Sequence, residues 1–262
     1  MHQSDTQDDR YGRIEGVIDL TPIQTARVTI AGLGTVGNSV AMDLGRHGLA
    51  TQSPGRIRLI DGDNVELRNL IGTAYRQDHV GTPKAEATAS MLREINDAAN
   101  VSYRNRMIDT SNLDEVVQLA GQSDLLCLFA DAFDLMSTLA DQCHGTCTVV
   151  MAAIGDQADV AEVGFSVPGQ TPPLSHTMGR RKRRAISKPK ALGCDTGFIT
   201  SFISSLCIRL LIDQALGKQL LPCYADAPLY VIGLRRVWLF EQFPDDVVRS
   251  VICVAQSKGE ST

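Results

Sequence analysis

A glycine-rich turn between an apolar strand and an amphipathic helix constrains this chain more than any other stretch. The turn reads G-L-G-T-V-G over residues 32–37 and follows the apolar run 28–31. In such a turn Gly32 permits the tight bend, Gly34 lets backbone N–H groups approach a phosphate, and Gly37 allows the helix to pack closely on the strand. The first helical turn offers unpaired N–H donors and the positive end of its dipole to an anion. The stretch therefore predicts a site for an adenine nucleotide.

Acidic residues close the second predicted strand. The apolar run 57–60 is followed by Asp61 and then by Asp63. In nucleotide-binding α/β folds a carboxylate at this place accepts hydrogen bonds from the ribose hydroxyls. Asp61 is therefore the predicted ribose ligand, and Asp63 is predicted to lie beside it in the cofactor site.

Strands and helices alternate along most of the chain. Strands are predicted at 28–31, 57–60, 101–108, 124–130, 148–153 and 158–167, and helices at 35–47, 81–96, 112–120, 133–143 and 196–216. This alternation predicts a Rossmann-like, doubly wound α/β sheet that is mostly parallel in its N-terminal half. An antiparallel hairpin of 229–232 and 237–240, with a third strand at 247–254, is predicted for the C-terminal part. Ligands of such sheets bind beyond the carboxyl ends of the strands, where Asp61, Asp63 and Asp131 fall.

The pattern predicts one domain with two flanking stretches. Residues 1–9 are polar and acidic and are predicted to form a disordered tail. Residues 10–217 are predicted to form the domain, in which 168–194 is a long basic crossover loop without periodicity. A loop of that length inside a compact domain is usually functional or disordered. Residues 218–262 are predicted to add strands to the same domain and to end in a free tail.

Composition excludes several classes of protein. The 262 residues are 44% hydrophobic and carry a net charge of -5, which is typical of a globular protein with a full core. The stretch 196–216 approaches the ~20 apolar residues of a membrane span, but Arg209 and Asp213 favour a buried core helix there. The polar N-terminus predicts no signal peptide. Seven cysteines without regular spacing favour a reducing, cytoplasmic setting.

Several short motifs follow one another in order along the chain. They are R-Y-G-R at 10–13, G-L-G-T-V-G at 32–37, D-G-D-N-V-E-L-R-N-L at 61–70, V-G-T-P-K at 80–84 and A-D at 130–131. This ordered set resembles the ThiF/MoeB/HesA family of ubiquitin-activating-enzyme-like adenylyltransferases, and the resemblance covers about residues 10–217. A lone G-x-G-x-x-G would be a weak signal, whereas the ordered set is specific at the superfamily level.

The resemblance implies an ATP- and Mg²⁺-dependent enzyme. Such an enzyme attacks the α-phosphorus of ATP with a substrate carboxylate and makes an acyl-adenylate and pyrophosphate. The carboxylate would be the C-terminus of a small ubiquitin-like or sulfur-carrier protein. Because a carboxylate is repelled by a triphosphate, the site must supply positive charge and hold the reacting groups in line. The family also implies a cytoplasmic homodimer.

The resemblance assigns roles to individual residues. Lys84, at the start of a helix, would neutralise phosphate charge. Asp131, at a strand end, would hold Mg²⁺, which prefers one or two carboxylates together with phosphates. Asn69 would donate a hydrogen bond to a phosphate oxygen. Arg13 resembles an arginine that reaches across the dimer to the triphosphate bound by the partner subunit.

Each of these residues also has a purely structural alternative. Lys84 could be a solvated lysine in the first turn of a helix, and Asp131 could be the N-cap of the next helix. Asn69 could simply cap or turn its loop, and Arg13 could lie on the surface of a mobile tail. The catalytic interpretation requires these side chains to lie together at one edge of the sheet, whereas the structural one does not.

One position departs from the family pattern. The family usually reads N-L-x-R-Q, with the arginine contacting phosphates, whereas residues 69–73 read N-L-I-G-T and place Gly72 at that position. Arg68 or Arg76 could supply the missing charge. Alternatively, the site is weakened and the chain is a binding or regulatory relative that no longer adenylates.

Cysteines carry two further hypotheses. Some relatives pass the acyl group to a cysteine, and others release the adenylate to a sulfur donor. Cys194 is the best-placed nucleophile because a helix start favours a thiolate, although the neighbouring Asp195 opposes this and buried structural cysteines are commoner. Cys143 and Cys147, in C-H-G-T-C, could bind zinc, but small buried thiols at a helix end are the preferred interpretation.

The basic run at 180–184 leaves the choice of partner open. As a solvated loop it needs no partner, but it could also hold an acidic protein tail or the phosphates of RNA. Some family members dehydrate a threonylcarbamoyl base on tRNA. No aromatic residue interleaves the run, so a protein carboxylate is favoured over nucleic acid. A nicotinamide dehydrogenase is a further alternative that explains the glycine turn but leaves V-G-T-P-K and Asn69 without a role.

Overall fold

The computed structural model describes residues 11, 12, 16, 19–154, 160–178, 194–217, 229–233 and 250–253. Arg13, the basic run 180–184 and the predicted strand 237–240 lie outside the described residues. The predicted tail 1–9 lies outside them as well, and the division into domains stays a prediction.

A single mixed sheet forms the centre of the described part. Its eight strands are β1 (Arg27–Ala31), β2 (Arg56–Asp61), β3 (Val101–Asn105), β4 (Leu125–Leu128), β5 (Thr148–Ile154), β6 (Val160–Ser166), β7 (Leu229–Gly233) and β8 (Ser250–Cys253). Their order across the sheet is β3-β2-β1-β4-β5-β6-β7-β8. Neighbours from β3 to β5 are parallel, β6 is antiparallel to both β5 and β7, and β8 is parallel to β7. The predicted sheet, mostly parallel first and antiparallel later, is confirmed.

Helices cover both faces of this sheet. They are α1 (Thr21–Gln24), α2 (Thr35–Arg46), α3 (Lys84–Ile95), α4 (Leu113–Ala120), α5 (Phe133–Cys143), α6 (Leu174–Thr177) and α7 (Cys194–Ala215). α2, α3 and α7 share one buried apolar cluster, and α4, α5 and α6 share another. The side chains of β4 point alternately to the two faces of the sheet and so contribute to both clusters. Leu125 and Cys127 belong to the first, and Leu126 and Leu128 to the second. This two-sided burial explains why β4 reads as a continuous apolar run.

The strand order places a crevice beside β1. β1 pairs with β2 on one side and with β4 on the other, although β2 and β3 come between them in the sequence. The connections that leave β1 and β4 therefore diverge, and a crevice opens at their carboxyl ends, where ligands of this architecture bind. Asp61 ends β2 and Asp131 follows β4, so both fall at this edge.

Two strands end earlier than the sequence predicts. β3 stops at Asn105, because the chain then turns so that Met107 packs directly on Gly62 and its carbonyl accepts a hydrogen bond from Asn112 Nδ2 at 2.7 Å. β4 stops at Leu128, because the following peptide packs against Gly32. In both places a tertiary contact redirects a chain whose residues would otherwise continue the strand.

The apolar helix α7 is a core helix, as predicted. Ile199, Ile203 and Leu210 are buried in the cluster shared with α2. Asp213 is only 1% exposed and accepts a hydrogen bond from Arg209 Nε at 2.6 Å. Within the described ranges, no helix has the length and apolar character needed to cross a membrane.

Candidate nucleotide-binding site

The glycine turn has the geometry that its sequence predicts. Gly32 has a φ of 89°, and a β-carbon there would lie 2.5 Å from the backbone nitrogen of Ala130. A β-carbon on Gly37 would collide with the carbonyl oxygen of Gly32. A β-carbon on Gly34 would meet nothing within 4 Å. Gly32 and Gly37 are therefore required by close packing, whereas Gly34 lies on the open side of the turn.

Asp61 binds the backbone of this turn. Its Oδ2 accepts a hydrogen bond from Leu33 N at 2.6 Å, and its Oδ1 accepts one from Asp63 N at 2.8 Å. Burial raises the pKa of Asp61 above its usual value, while these two N–H donors and the charge of Lys84 act in the opposite direction. Each oxygen keeps a second lone pair, so the carboxylate can still accept hydrogen bonds from a ligand.

Lys84 is held by Asp63 at the start of α3. Its Nζ lies 2.8 Å from Asp63 Oδ2, and its backbone N donates to the carbonyl oxygen of Asp63 at 2.9 Å. The lysine side chain is 10% exposed and the aspartate side chain is 58% exposed. Lys84 is therefore not a solvated first-turn lysine, and that alternative is wrong. Its charge also acts on Asp61, and its ion-pair partner Asp63 is the more exposed member of the pair.

A tyrosine that the sequence reasoning missed joins Lys84 to the glycine turn. The hydroxyl oxygen of Tyr75 lies 2.9 Å from the carbonyl oxygen of Leu33, 3.4 Å from that of Lys84 and 3.0 Å from Thr88 Oγ1. Asn38 completes this cluster, because its Nδ2 donates to Thr88 Oγ1 at 3.2 Å. Asn38 and Thr88 are fully buried and Tyr75 is 4% exposed. The only sequence signal for this cluster is a polar residue on the buried stripe of α2.

Asp131 lies beside the same turn. It follows the Phe129–Ala130 peptide that packs on Gly32, and it is exposed. The N-cap of α5 is Ala132 with no side-chain capping bond, so the alternative of Asp131 as a plain N-cap is wrong. Within the described ranges its carboxylate makes no hydrogen bond or ion pair. An exposed carboxylate at this place has the donor chemistry that Mg²⁺ prefers in proteins.

Asn69 has one half of its amide engaged. Its Oδ1 accepts a hydrogen bond from Glu66 N at 2.8 Å and closes the short 3₁₀ turn Leu67–Leu70. In the part of the chain that the structure describes, its Nδ2 has no acceptor. The oxygen of the Asn69 side chain therefore caps the turn, as the structural alternative requires. The nitrogen stays available for the predicted hydrogen bond to a phosphate.

A model of the ThiF family matches residues 11–227. The chain belongs to the ThiF family. Ubiquitin-like modifier-activating enzyme 5 of Drosophila willistoni is 28% identical over 210 residues, which are 71% of this chain and 50% of that protein. The SAMP-activating enzyme E1 of Haloferax volcanii is 33% identical over 145 residues, 53% of this chain and 51% of that protein. The chain thus spans about half the length of these relatives.

Solved structures share the fold of this ThiF-family chain. A crystal structure of E. coli MccB superimposes with a TM-score of 0.66 at 23% identity, covering 79% of this chain and 63% of that one. A crystal structure of E. coli MccB with ATP gives a TM-score of 0.63 at 24% identity, with 78% and 63% covered. At this level of identity the likeness establishes the Rossmann-like ThiF architecture.

The loop that departs from the ThiF pattern has its own backbone conformation. Gly72 has a φ of 77°, in the left-handed region that an arginine side chain disfavours. Arg68 pairs with Glu66 at 2.6 Å, and Arg76 pairs with Glu94 at 3.1 Å. Glu94 lies near the far end of α3 from Lys84, so Arg76 is directed away from the start of that helix. Both arginines are engaged, and neither replaces the absent one in this conformation.

The described cysteines of the ThiF domain are buried. Cys207 lies in the core, as predicted, and Cys143 and Cys147 are at most 2% exposed. Burial raises the pKa of Cys143 to about 11 and that of Cys147 to about 12, so both stay protonated thiols. Among the described residues there is no group of three or more His, Cys, Asp or Glu that could hold a metal ion. The side chain of Cys194 lies outside the described residues.

A cavity of about 280 Å³ lies away from the ThiF site. Its walls include Pro22, Arg27, Asp124 and Leu211, at the amino ends of β1 and β4 and the end of α7. It therefore opens at the opposite edge of the sheet from the glycine turn, and it is not the candidate nucleotide site.

Proposed function

We propose that the chain adenylates a carboxylate. ATP and Mg²⁺ are the proposed cofactors, and the substrate is the C-terminal carboxylate of a small ubiquitin-like or sulfur-carrier protein or a peptide. The observation that carries the proposal is the placement of Lys84 and Asp131 next to one glycine turn, with Asp61 bound to that turn. Membership of the ThiF family supports ATP rather than a nicotinamide cofactor as the nucleotide.

The residues of the site divide the proposed work. Asp61 would accept the ribose hydroxyls through the lone pairs that its two backbone donors leave free. The open side of the turn at Gly34 and the start of α2 would receive phosphates. The ammonium group of Lys84 would stabilise charge on the phosphates as the carboxylate attacks. Asp131 would hold Mg²⁺, which polarises phosphate oxygens when it is bound.

The names of the relatives support the class of substrate. Ubiquitin-like modifier-activating enzyme 5 and the SAMP-activating enzyme E1 are named for activating a ubiquitin-like modifier and SAMP, and MccB has been crystallised with MccA. The proposed substrate must present a terminal carboxylate in line with the α-phosphorus.

We extend the proposal to a cytoplasmic homodimer with Arg13 acting in trans. Residues 10–217 would form the adenylation domain, and Cys194 would accept the activated acyl group.

A non-catalytic binding subunit is the second candidate function. The conformation of Gly72 favours it, because the chain lacks the arginine of the family pattern and its loop takes a backbone shape unsuited to one. Such a subunit would bind a carrier protein without exchanging pyrophosphate into ATP. A dehydratase that acts on threonylcarbamoyl-adenosine of tRNA would instead show ATP–pyrophosphate exchange only when the RNA is present.

ATP–pyrophosphate exchange tests the proposal. Exchange is expected with a carrier protein or peptide that ends in a free carboxylate and not with its C-terminal amide. Asp131→Asn is expected to slow exchange by about 10²-fold, the size of effect seen when one preorganised charge interaction is lost. Asp114→Asn, another exposed aspartate at a helix start, is the matched control and should leave exchange unchanged. Carrier binding without any exchange, unaffected by Asp131→Asn, would support the non-catalytic subunit instead.

Adenosine binding should depend on pH through Asp61. Ribose hydroxyls donate to the ionised carboxylate, whose pKa burial raises above the usual 3.8. Affinity for adenosine is therefore expected to be full well above the raised pKa and to fall as the pH drops through it. Calorimetric titration from pH 8 down to the lowest pH at which the protein stays folded measures this, with adenosine chosen because it carries no titrating phosphate. The Asp61→Asn variant should bind weakly with a flat profile, and an equally flat wild-type profile would exclude Asp61 as the ribose ligand.

A further inference from the structure

We propose that Tyr75 is a positioning residue that fixes the direction of the Leu33–Gly34 peptide. Its hydroxyl holds the carbonyl of Leu33 inward, and the N–H of Gly34 consequently faces the open, phosphate-binding side of the glycine turn. The inference rests on the proposed function only in naming the bound anion as the phosphate chain of a nucleotide.

Donor counting gives the direction of each hydrogen bond in the buried cluster. Asn38 Oδ1 accepts a hydrogen bond from Ala74 N at 2.7 Å, which fixes the orientation of the amide. Asn38 Nδ2 therefore donates to Thr88 Oγ1 at 3.2 Å. The Thr88 hydroxyl in turn donates to the oxygen of Tyr75 at 3.0 Å. The single proton of Tyr75 is left for a carbonyl oxygen, and that of Leu33 at 2.9 Å is closer than that of Lys84 at 3.4 Å.

The protonation state of Tyr75 keeps this chain of donors intact. Burial raises the pKa of Tyr75 above its ordinary value, so the hydroxyl keeps its proton throughout the physiological range. Every polar group of the cluster has a partner, which is the condition under which a buried polar network holds one arrangement. The last acceptor in the chain is the backbone of the glycine turn.

The planarity of the peptide carries this restraint to Gly34. In a trans peptide the carbonyl of one residue and the N–H of the next point in opposite directions. Because the carbonyl of Leu33 points to Tyr75 in the interior, the N–H of Gly34 points away from it. The space beside Gly34 is open, since a β-carbon on this residue would meet nothing within 4 Å.

Gly34 itself supplies little resistance to a flipped peptide. Glycine adopts positive and negative φ values about equally readily, so a glycine at this place permits the peptide to rotate. A rotated peptide would turn the carbonyl of Leu33, instead of the N–H of Gly34, toward the phosphates. The neighbouring peptide is already fixed, because Leu33 N donates to Asp61 Oδ2 at 2.6 Å. Tyr75 therefore provides the restraint that the glycine cannot.

The Tyr75→Phe variant tests this orientation directly. In ¹⁵N-labelled wild-type protein, inorganic pyrophosphate is expected to shift the amide resonance of Gly34. In Tyr75→Phe the affinities for pyrophosphate and for ATP should fall about tenfold. The reason is that the peptide is free to rotate, so the charge-assisted hydrogen bond from the Gly34 N–H to the anion is lost. Affinity for adenosine, which Asp61 holds, should stay within about twofold. A general loss of structure would instead lower the affinities for all three ligands by similar factors.

Two further variants act as controls, and a third provides a second test. Tyr103→Phe removes the hydroxyl of a tyrosine that is 39% exposed and should change none of these affinities. Thr88→Ser keeps the donor to Tyr75 and should behave as wild type. Thr88→Val removes that donor and should weaken pyrophosphate binding by about threefold, less than Tyr75→Phe. This pair tests the inference even where Tyr75→Phe fails to fold.

The outcomes separate this inference from the proposed function. A Gly34 shift that depends on Tyr75, in a protein without ATP–pyrophosphate exchange, would support the inference and contradict the proposed function. Exchange in the wild type with unchanged pyrophosphate affinity in both Tyr75→Phe and Thr88→Val would overturn the inference alone. A Gly34 amide that does not respond to pyrophosphate or ATP in the wild type would overturn the inference as well.

Discussion

Replacing Lys84 with methionine is expected to lower kcat for ATP–pyrophosphate exchange by about 10²–10³-fold. The lysine side chain is 10% exposed, so once a phosphate has displaced Asp63 the lysine charge would be screened by water less than that of a surface lysine. Methionine has an unbranched apolar side chain of similar length, and it can fill the space that the buried methylene groups of the lysine occupy. Steady-state exchange rates at saturating ATP measure the loss.

The control for this variant is Arg46→Met. Arg46 is a cation at the end of α2 with a side chain that is 58% exposed, and its pair with Asp43 at 2.9 Å is worth at most about 1 kcal/mol. Exchange in Arg46→Met should match the wild type. If Lys84→Met kept wild-type exchange while remaining folded, the ammonium group would have no part in the chemistry.

Placing alanine at Gly37 is expected to destabilise the protein and to remove nucleotide binding. The new β-carbon would overlap the carbonyl oxygen of Gly32, and because that atom belongs to the backbone, the turn itself must move. Overpacking of this kind lowers the free energy of unfolding by about 1–3 kcal/mol. Urea unfolding and ATP titration would measure the two effects on the same preparation.

Gly45→Ala offers a matched comparison within the same helix. Gly45 also lies in α2, but its β-carbon would meet the end of the Leu92 side chain at 2.5 Å, which can rotate away. Alanine is also the better helix former by about 0.5–1 kcal/mol, which offsets the cost of that adjustment. We expect little net change in stability and normal ATP binding. Equal losses in the two variants would mean that the contact with Gly32 has no special role.

The parts of the site that the sequence predicts correctly are local ones. The strand–turn–helix of residues 27–46 follows from apolar spacing and from the spacing of three glycines in one turn, although the contact of Gly32 with Ala130 is not visible in that stretch. The positions of Asp61 and Asp131 follow from counting strands, because parallel strands end at the same edge of the sheet. In both cases a short stretch of sequence contains all the information that the prediction needs.

The cluster of Tyr75, Asn38 and Thr88 could not be predicted in this way. Its members come from a loop, from α2 and from α3, and each looks unremarkable in its own segment. Only the packing of α3 against α2 brings the three hydroxyl and amide groups within hydrogen-bonding distance. The same reason explains the early ends of β3 and β4, which depend on contacts with Met107 and Gly32 rather than on strand propensity.

Backbone conformation was the other missing element. The absence of an arginine at Gly72 is visible in the sequence, but the left-handed conformation there is not. In the C-terminal part, β8 pairs with β7 in parallel, whereas the sequence predicted a hairpin through residues 237–240, which lie outside the described residues. A run of β-branched residues predicts a strand but contains no information about which neighbour it will choose.

The ion pair between Lys84 and Asp63 gives the site a built-in counter-ion. The aspartate side chain is 58% exposed, so a phosphate that takes its place would release the aspartate into water at little cost to the aspartate itself. Binding would then exchange one anion for another around the same ammonium group. The electrostatic gain is correspondingly smaller than for a bare lysine, and small anions such as chloride or sulfate compete with a carboxylate that is always present at short range. Occupancy of this position should therefore favour ligands that also bind the glycine turn and Asp61 over free anions that offer charge alone.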